Sequence, residues 1–198
     1  MLMKCVKCNA LATIHVENLY ACRGCFQKII QKRVRKEIRI KDLIEKDDKI
    51  LVINDGSAEG KLASHILKEI INDLPVIITV KRKKYTLGEE IIGKYNKVII
   101  PWNADKEGEY LLNCFFEKKK PIYLSHFLKK RKAYVKLFIH VLHSEIIEYC
   151  KIKKISFSEI KKESKTTEIL NSLQKEYPEI KFSLVKSAEG LKNIIQKS

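Results

Sequence analysis

The sequence predicts an α/β protein: a parallel sheet flanked by helices, preceded by an N-terminal four-cysteine zinc knuckle. Three observations lead there. Two Cys-x2-Cys pairs open the chain, an apolar strand pattern at 49–54 runs into a glycine-bearing turn and an amphipathic helix, and short apolar runs then alternate with helical patterns. Such alternation places strands side by side in parallel, with helices crossing over them.

The cysteines fall as Cys5-x2-Cys8, thirteen residues, then Cys22-x2-Cys25. Each close pair can turn two thiolates inward, and two pairs complete the tetrahedron that zinc prefers, in a segment too short to fold without the metal. Gly24 eases the second turn, and the alternation of Thr13 to Glu17, with Asn18 before Leu19-Tyr20-Ala21, predicts a hairpin between the pairs. A redox dithiol and an iron–sulfur cluster also use Cys-x2-Cys; paired motifs around a hairpin favour structural zinc. His15, between the pairs, reads as a strand residue because four thiolates already close the shell.

Next, Phe26, Ile29, Ile30, Val34 and Ile38 recur at helical spacing, while Lys28, Lys32, Arg33, Arg35, Lys36 and Arg39 fill the other positions against Glu37 alone. This is a basic amphipathic helix, with the six cations as candidate RNA-phosphate contacts; a plain solvated face is the alternative. The organisation expected is a knuckle at 1–26, a basic helix and linker at 27–46, and an α/β domain at 47–198.

That domain opens with a strand at 49–54, the turn Asp55-Gly56-Ser57-Ala58-Glu59-Gly60, and a helix burying Leu62, Ala63, Ile66, Leu67 and Ile70. Strand, glycine turn and helix form a phosphate-binding layout. Further strands are expected at 76–80, 98–100 and 122–124, and helices at 106–116, 143–151, 166–177 and 188–196, with Pro178 ending the third of these helices.

At 198 residues, 45% hydrophobic and 32% charged, the chain can bury one real core, and it has no apolar run of membrane-spanning length. Its start, Met1-Leu2-Met3-Lys4-Cys5, lacks a secretory pattern, so a reducing, cytoplasmic location is expected, with cysteines as thiols or metal ligands. Forty Lys and Arg against 24 Asp and Glu leave +16, a field that attracts polyphosphates such as RNA. A lysine-rich proteome would give the same charge without that role.

Cys5-Val6-Lys7-Cys8, Cys22-Arg23-Gly24-Cys25-Phe26 and Lys32-Arg33-Val34-Arg35-Lys36 resemble the N-terminus of the PP-loop tRNA thiolases that make 2-thiouridine at the wobble position. Within that group the chain looks most like the non-catalytic subunit, the cytoplasmic tRNA 2-thiolation protein 2 family. Trp102-Asn103-Ala104-Asp105-Lys106-Glu107 through Leu111-Leu112-Asn113 sits where the family carries its His-Asn-Ala-Asp-Asp element, and Glu145 and Tyr149 match later positions. The resemblance implies a tRNA-binding pseudoenzyme that pairs as a heterodimer with a catalytic PP-loop thiolase and meets a ubiquitin-like sulfur carrier through that complex.

The departures carry the non-catalytic reading. Active members hold pyrophosphate with Ser-Gly-Gly-x-Asp-Ser, where this chain has a degenerate nucleotide loop, Asp55-Gly56-Ser57 followed by Ala58-Glu59-Gly60, so Asp55 would set a carboxylate against phosphate oxygens and Gly60 replaces the closing hydroxyl. Their additional catalytic cysteines have no counterpart in 81–96. Cys114 and Cys150 read as buried small hydrophobes, and His140 and His143 as incidental. Two alternatives remain: a Toprim-like magnesium enzyme or recombination mediator, from Asn103-Ala104-Asp105-Lys106-Glu107-Gly108-Glu109, and a zinc-ribbon translation accessory factor.

Overall fold

The computed structural model describes residues 3–158 and 164–195. A small hairpin, β1 (Ile14–Val16) and β2 (Leu19–Ala21), leads directly into the long helix α1 (Arg23–Ile40). The main sheet then follows, with β3 (Lys49–Asn54), α2 (Ala58–Ile70), β4 (Ile77–Arg82), β5 (Lys97–Ile99), α3 (Ala104–Phe116), β6 (Phe127–Lys129) and β7 (Lys132–Val135). Three helices close the described chain: α4 (His143–Lys153), α5 (Lys165–Glu176) and α6 (Ile180–Ile195).

The strand order is β4-β3-β5-β7-β6. β3 pairs in parallel with β4 and β5, β5 pairs in parallel with β7, and β6 is antiparallel to β7. An unbroken apolar run suits β3 because both its faces are covered, and Ile50 to Ile53 are fully buried. On one face Ile50, Val52, Ile99 and Val135 meet the apolar sides of α1, α2 and α4. On the other, Leu51, Ile53, Val98, Ile100 and Tyr134 meet Ile91, Tyr85, Tyr95 and Trp102, so irregular chain covers that face near β3.

Two expectations need correction. Residues 122–124 form no strand; Leu124 is buried, but Ser125 turns its amide to Glu107 at 2.6 Å, and the chain pairs only after that, as the β6–β7 hairpin. The sheet is therefore parallel with one antiparallel edge. The last helix begins at Ile180 rather than 188, because Val185 and Ala188 both pack inward and continue one apolar stripe. Residue 196, the expected end of that helix, lies outside the described residues.

One polar feature lies within the core. Lys136 and Glu107 are both completely buried, with Nζ 2.5 Å from Oε2. Glu107 also accepts from the Trp102 indole at 2.8 Å, and Lys136 also donates to the Tyr123 carbonyl at 2.6 Å while lying 4.5 Å from the Trp102 ring centroid. Burial draws the Lys136 ammonium down from its usual range, and Glu107 opposes that shift.

Candidate metal centre and degenerate phosphate loop

The hairpin register Ile14↔Ala21 and Val16↔Leu19 turns Ile14, Val16 and Ala21 into the core that α1, α2 and α4 share. It also brings the two cysteine pairs together. Cys22 caps α1, Cys25 lies in its first turn, and the Val6 amide bonds to the Tyr20 carbonyl at 3.0 Å, tying the first pair beside the second. One sulfur-type atom from each of Cys5, Cys8, Cys22 and Cys25 lies within 4.8 Å of all the others.

Four thiolates about 2.3 Å from one ion stand about 3.8 Å apart. Cys8 Sγ and Cys22 Sγ are 3.7 Å apart. Thiolates that each bind a different iron of a cubane stand farther apart, so this set suits a single tetrahedral ion. Hydrogen bonding with Cys22 and Cys8 pushes the Cys25 thiol up to about 12, whereas backbone donors, that of Cys22 first, draw Cys5 down to about 6. His15 takes no part; its ring stacks on Tyr20 at 4.1 Å within the hairpin.

The second region lies where β3 ends. Asn54 Oδ1 accepts from the Gly56 amide at 3.1 Å. Asp55 Oδ1 accepts from the Ser57 amide at 3.0 Å and the Ser57 hydroxyl at 2.5 Å, and Ser57 Oγ in turn caps α2 by accepting from the Gly60 amide at 3.3 Å. Donors that would face a bound anion are therefore bonded to oxygens of the chain itself. Asp55 does not stand out toward a ligand, as the sequence implied; it folds back into the loop. Gly56 at φ +90° lets the chain reverse there, a conformation that side chains resist. At Gly60 a Cβ would lie 2.8 Å from Asp55 Oδ1 and 3.0 Å from Asp55 N, so the inward Asp55 requires glycine five residues later. Two departures read separately in the sequence are one structural change. Beside the loop an open cavity of about 300 Å³ is lined by Lys61, Arg82, Lys83 and Lys84.

Behind the loop Glu59, almost fully buried, accepts from Asn103 Nδ2 at 2.6 Å, bonds His143 Nδ1 at 2.9 Å and lies 3.5 Å from Lys106 Nζ. Burial alone would raise its pKa, but His143 and Lys106 outweigh that and hold it at about 2. His143 is raised in return, chiefly by its hydrogen bond to Glu59. Asn103 also caps α3 by accepting from the Lys106 amide at 2.8 Å, and Asp105 pairs with Lys181 at 2.5 Å. With Glu107 held by Lys136, the acidic residues of the Toprim-like alternative are tied to cations and amides of the chain rather than grouped around an open site.

The histidines read as incidental are not so. Besides His143, His140 Nε2 lies 3.1 Å from Glu37 Oε2, and His126 Nε2 lies 2.9 Å from Glu37 Oε1. His126 Nδ1 accepts from the Lys136 amide at 3.1 Å, so its proton resides on Nε2 and points to Glu37. This hub ties α1 to the start of β6 and the entry to α4. Glu37, His140 and Glu189 also offer ligand-type atoms within 4.8 Å, but Lys41 already lies 3.5 Å from Glu189 and supplies the positive charge there.

No protein-family model matches the chain. Its sequence is 30% identical over 70 residues to the tRNA-5-methyluridine(54) 2-sulfurtransferase of Pyrococcus horikoshii, a stretch that covers 34% of this chain and 23% of that enzyme. Its structure superposes on the U34-tRNA thiolase NcsA from Methanococcus maripaludis, solved with its [4Fe-4S] cluster, at a TM-score of 0.78 and 16% identity, covering 96% of this chain and 87% of the other. The chain shares the fold of that thiolase.

Within that fold the basic helix divides. Lys28, Lys32, Arg35, Lys36 and Arg39 are exposed on α1, and none forms an ion pair among the described residues. Arg33 points elsewhere: its Nη1 contacts both carboxylate oxygens of buried Glu145, at 2.7 and 2.8 Å, and its guanidinium lies 5.7 Å from the Phe182 ring centroid. Cys114 and Cys150 are buried, and burial pushes the Cys150 thiol up to about 12.

Proposed function

We propose that this chain is a non-catalytic, tRNA-binding subunit of a wobble-uridine (U34) 2-thiolation complex, working beside a catalytic PP-loop partner. The observation that carries the reading is the closed loop: in a fold shared with a tRNA thiolase, Asp55 occupies the Ser57 amide and hydroxyl, and Gly60 leaves it the room to do so. Preorganised donors at a leaving pyrophosphate commonly contribute roughly 10² to 10³ each in rate, and these donors face the wrong way to do so. The two similar proteins act on tRNA, at 5-methyluridine 54 and at U34, which supports tRNA as the ligand.

In this reading the knuckle at 1–26 holds zinc through Cys5, Cys8, Cys22 and Cys25, and the helix and linker at 27–46 present Lys28, Lys32, Arg35, Lys36 and Arg39 to the tRNA backbone. The domain at 47–198 supplies the surface for the catalytic partner, which would receive sulfur from a ubiquitin-like carrier. The test is direct. The purified chain should convert no ATP to AMP and thiolate no tRNA, yet bind tRNA and restore thiolation when mixed with a catalytic subunit. Thiolation by the chain alone would overturn the reading.

A further inference from the structure

The β6–β7 hairpin breaks local rules at its turn, although Phe127 stacks on Tyr134 across the ladder, ring centroids 4.8 Å apart. Its register sets Lys129 opposite Lys132, leaving a two-residue turn of Lys130 and Arg131, both with positive φ, at +46° and +63°. Turns of this kind favour Asn-Gly, because a Cβ is strained in that region, and like charges facing each other across a ladder repel. Lys130 is exposed and reaches only the exposed Glu90, at 2.6 Å; Arg131 is exposed with no partner among the described residues. A costly conformation that displays Lys130 and Arg131, with Lys129 bonded to the Gly88 carbonyl and Lys132 half-buried beside them, marks a functional site better than a structural one.

The chain path brings a second group to the same end of the sheet. β7 starts at this turn, level with the start of β5, and α3 runs back from the far end of β5 so that its last turn returns to this level. There Phe115 and Phe116 are 56% and 60% exposed, and after Glu117, which pairs with Lys119 at 2.6 Å, the cations Lys118, Lys119 and Lys120 follow, all exposed. Tyr123 touches both elements: its ring lies 5.0 Å from that of Phe127 and 5.9 Å from Lys129 Nζ, and its amide donates to the Tyr110 hydroxyl of α3 at 3.2 Å.

We propose that this end of the sheet, opposite the closed loop, is a contact surface for single-stranded RNA, in which the hairpin tip and Lys118–Lys120 hold phosphates while Phe115 and Phe116 stack on unpaired bases. Alternating cations and free aromatic faces are what such strands need. A lipid surface would require a continuous apolar face on one element, whereas these residues come from a turn, a helix end and a loop. The inference rests on the reading that the ligand is tRNA.

The experiment measures binding of fluorescent tRNA between 50 and 300 mM salt to the full chain, to Lys130→Asn/Arg131→Gly and to Phe116→Ser, with melting curves for each. The hairpin variant should melt about 2–4 °C higher, because its turn is relaxed, yet bind more weakly by about eightfold or more, the factor one phosphate contact carries between 1 M and 0.1 M salt, with a shallower salt slope. Phe116→Ser should lose about fivefold or more at every salt. A wild-type chain that binds no tRNA sinks both this inference and the proposed function. Tight wild-type binding that both variants retain sinks this surface alone. Capture by phosphatidylserine vesicles that tRNA does not displace, lost in the hairpin variant, would show that the partner is a membrane.

Discussion

Arg33 provides the sharpest test of which cations on α1 build the fold and which would meet RNA. Replacing it with Ala removes the guanidinium from Glu145, whose side chain is 3% exposed and whose pKa burial already raises despite the ion pair. Removing one partner of a buried pair typically costs about 3–5 kcal/mol. The Arg33 side chain is 33% exposed and Glu145 keeps the Leu142 amide at 2.9 Å, so the lower end applies, about 2–3 kcal/mol including its contact with Phe182. For a chain of this length that lowers Tm by about 4–12 °C. Thermal unfolding followed by circular dichroism should show that loss for Arg33→Ala, a change within about 0.5 kcal/mol for exposed Arg35→Ala, and recovery of much of the loss in Arg33→Ala/Glu145→Gln, where no unpaired charge is left. Binding measured well below Tm should show the converse: Arg35→Ala/Lys36→Ala/Arg39→Ala flattens the salt slope by about 0.9 per lost contact, and Arg33→Ala leaves it unchanged. An Arg33→Ala chain that melts like the parent but loses tRNA affinity would refute the division.

Metal analysis of the purified protein should find about one zinc per chain, lost in Cys22→Ser with disruption of the hairpin; stoichiometric iron and sulfide would refute a single-ion site. His143 has a pKa raised by Glu59, so its stabilising contribution is complete below its unfolded value and fades as pH climbs through the higher folded one. The stability gap between wild type and His143→Ala should therefore narrow from pH 5.5 to pH 9, and a gap that widens would contradict the pairing. Lys136→Met should cost about 3–5 kcal/mol by stranding Glu107 in the core, and Lys136→Met/Glu107→Gln less than half of that, measured by urea unfolding.

The elements legible in the sequence were those whose apolar pattern is met directly by partner faces. The knuckle hairpin, α1, α2 and α4 each bury one stripe in the shared core, and β3 reads as an unbroken run because it is covered on both faces. Residues 122–124 misled because Leu124 is buried against α3 and α6 rather than in a ladder, and a three-residue apolar run cannot distinguish the two. The hairpin at 127–135 was hidden by Lys130-Arg131, the reverse of a hairpin-turn sequence. In the site, cysteine spacing alone brought out the four-cysteine cluster. The inward turn of Asp55, the buried role of Glu59 and the Glu37 hub were not readable, since each depends on residues between two and roughly a hundred positions away meeting in space. Arg33 shows the same limit within one helix: its charge is visible in the sequence, its direction only beside Glu145.

The knuckle has no core of its own. Cys5, Ile14, Val16 and Ala21 bury into the same cluster as Phe26, Ile30, Leu62, Ile66 and Tyr149. Melting should consequently appear as one transition rather than two, with the knuckle and sheet lost together. Free energy gained on binding an ion at the four cysteines is then shared by the whole sheet, and the unfolding midpoint of the entire domain rises with the logarithm of free metal concentration. Chelation would loosen α1 from both sides, because its N-cap and first turn carry one thiolate each and its buried stripe anchors the hairpin. A cell that starved this chain of metal would lose a folded protein, and the first sign would be its turnover by proteases.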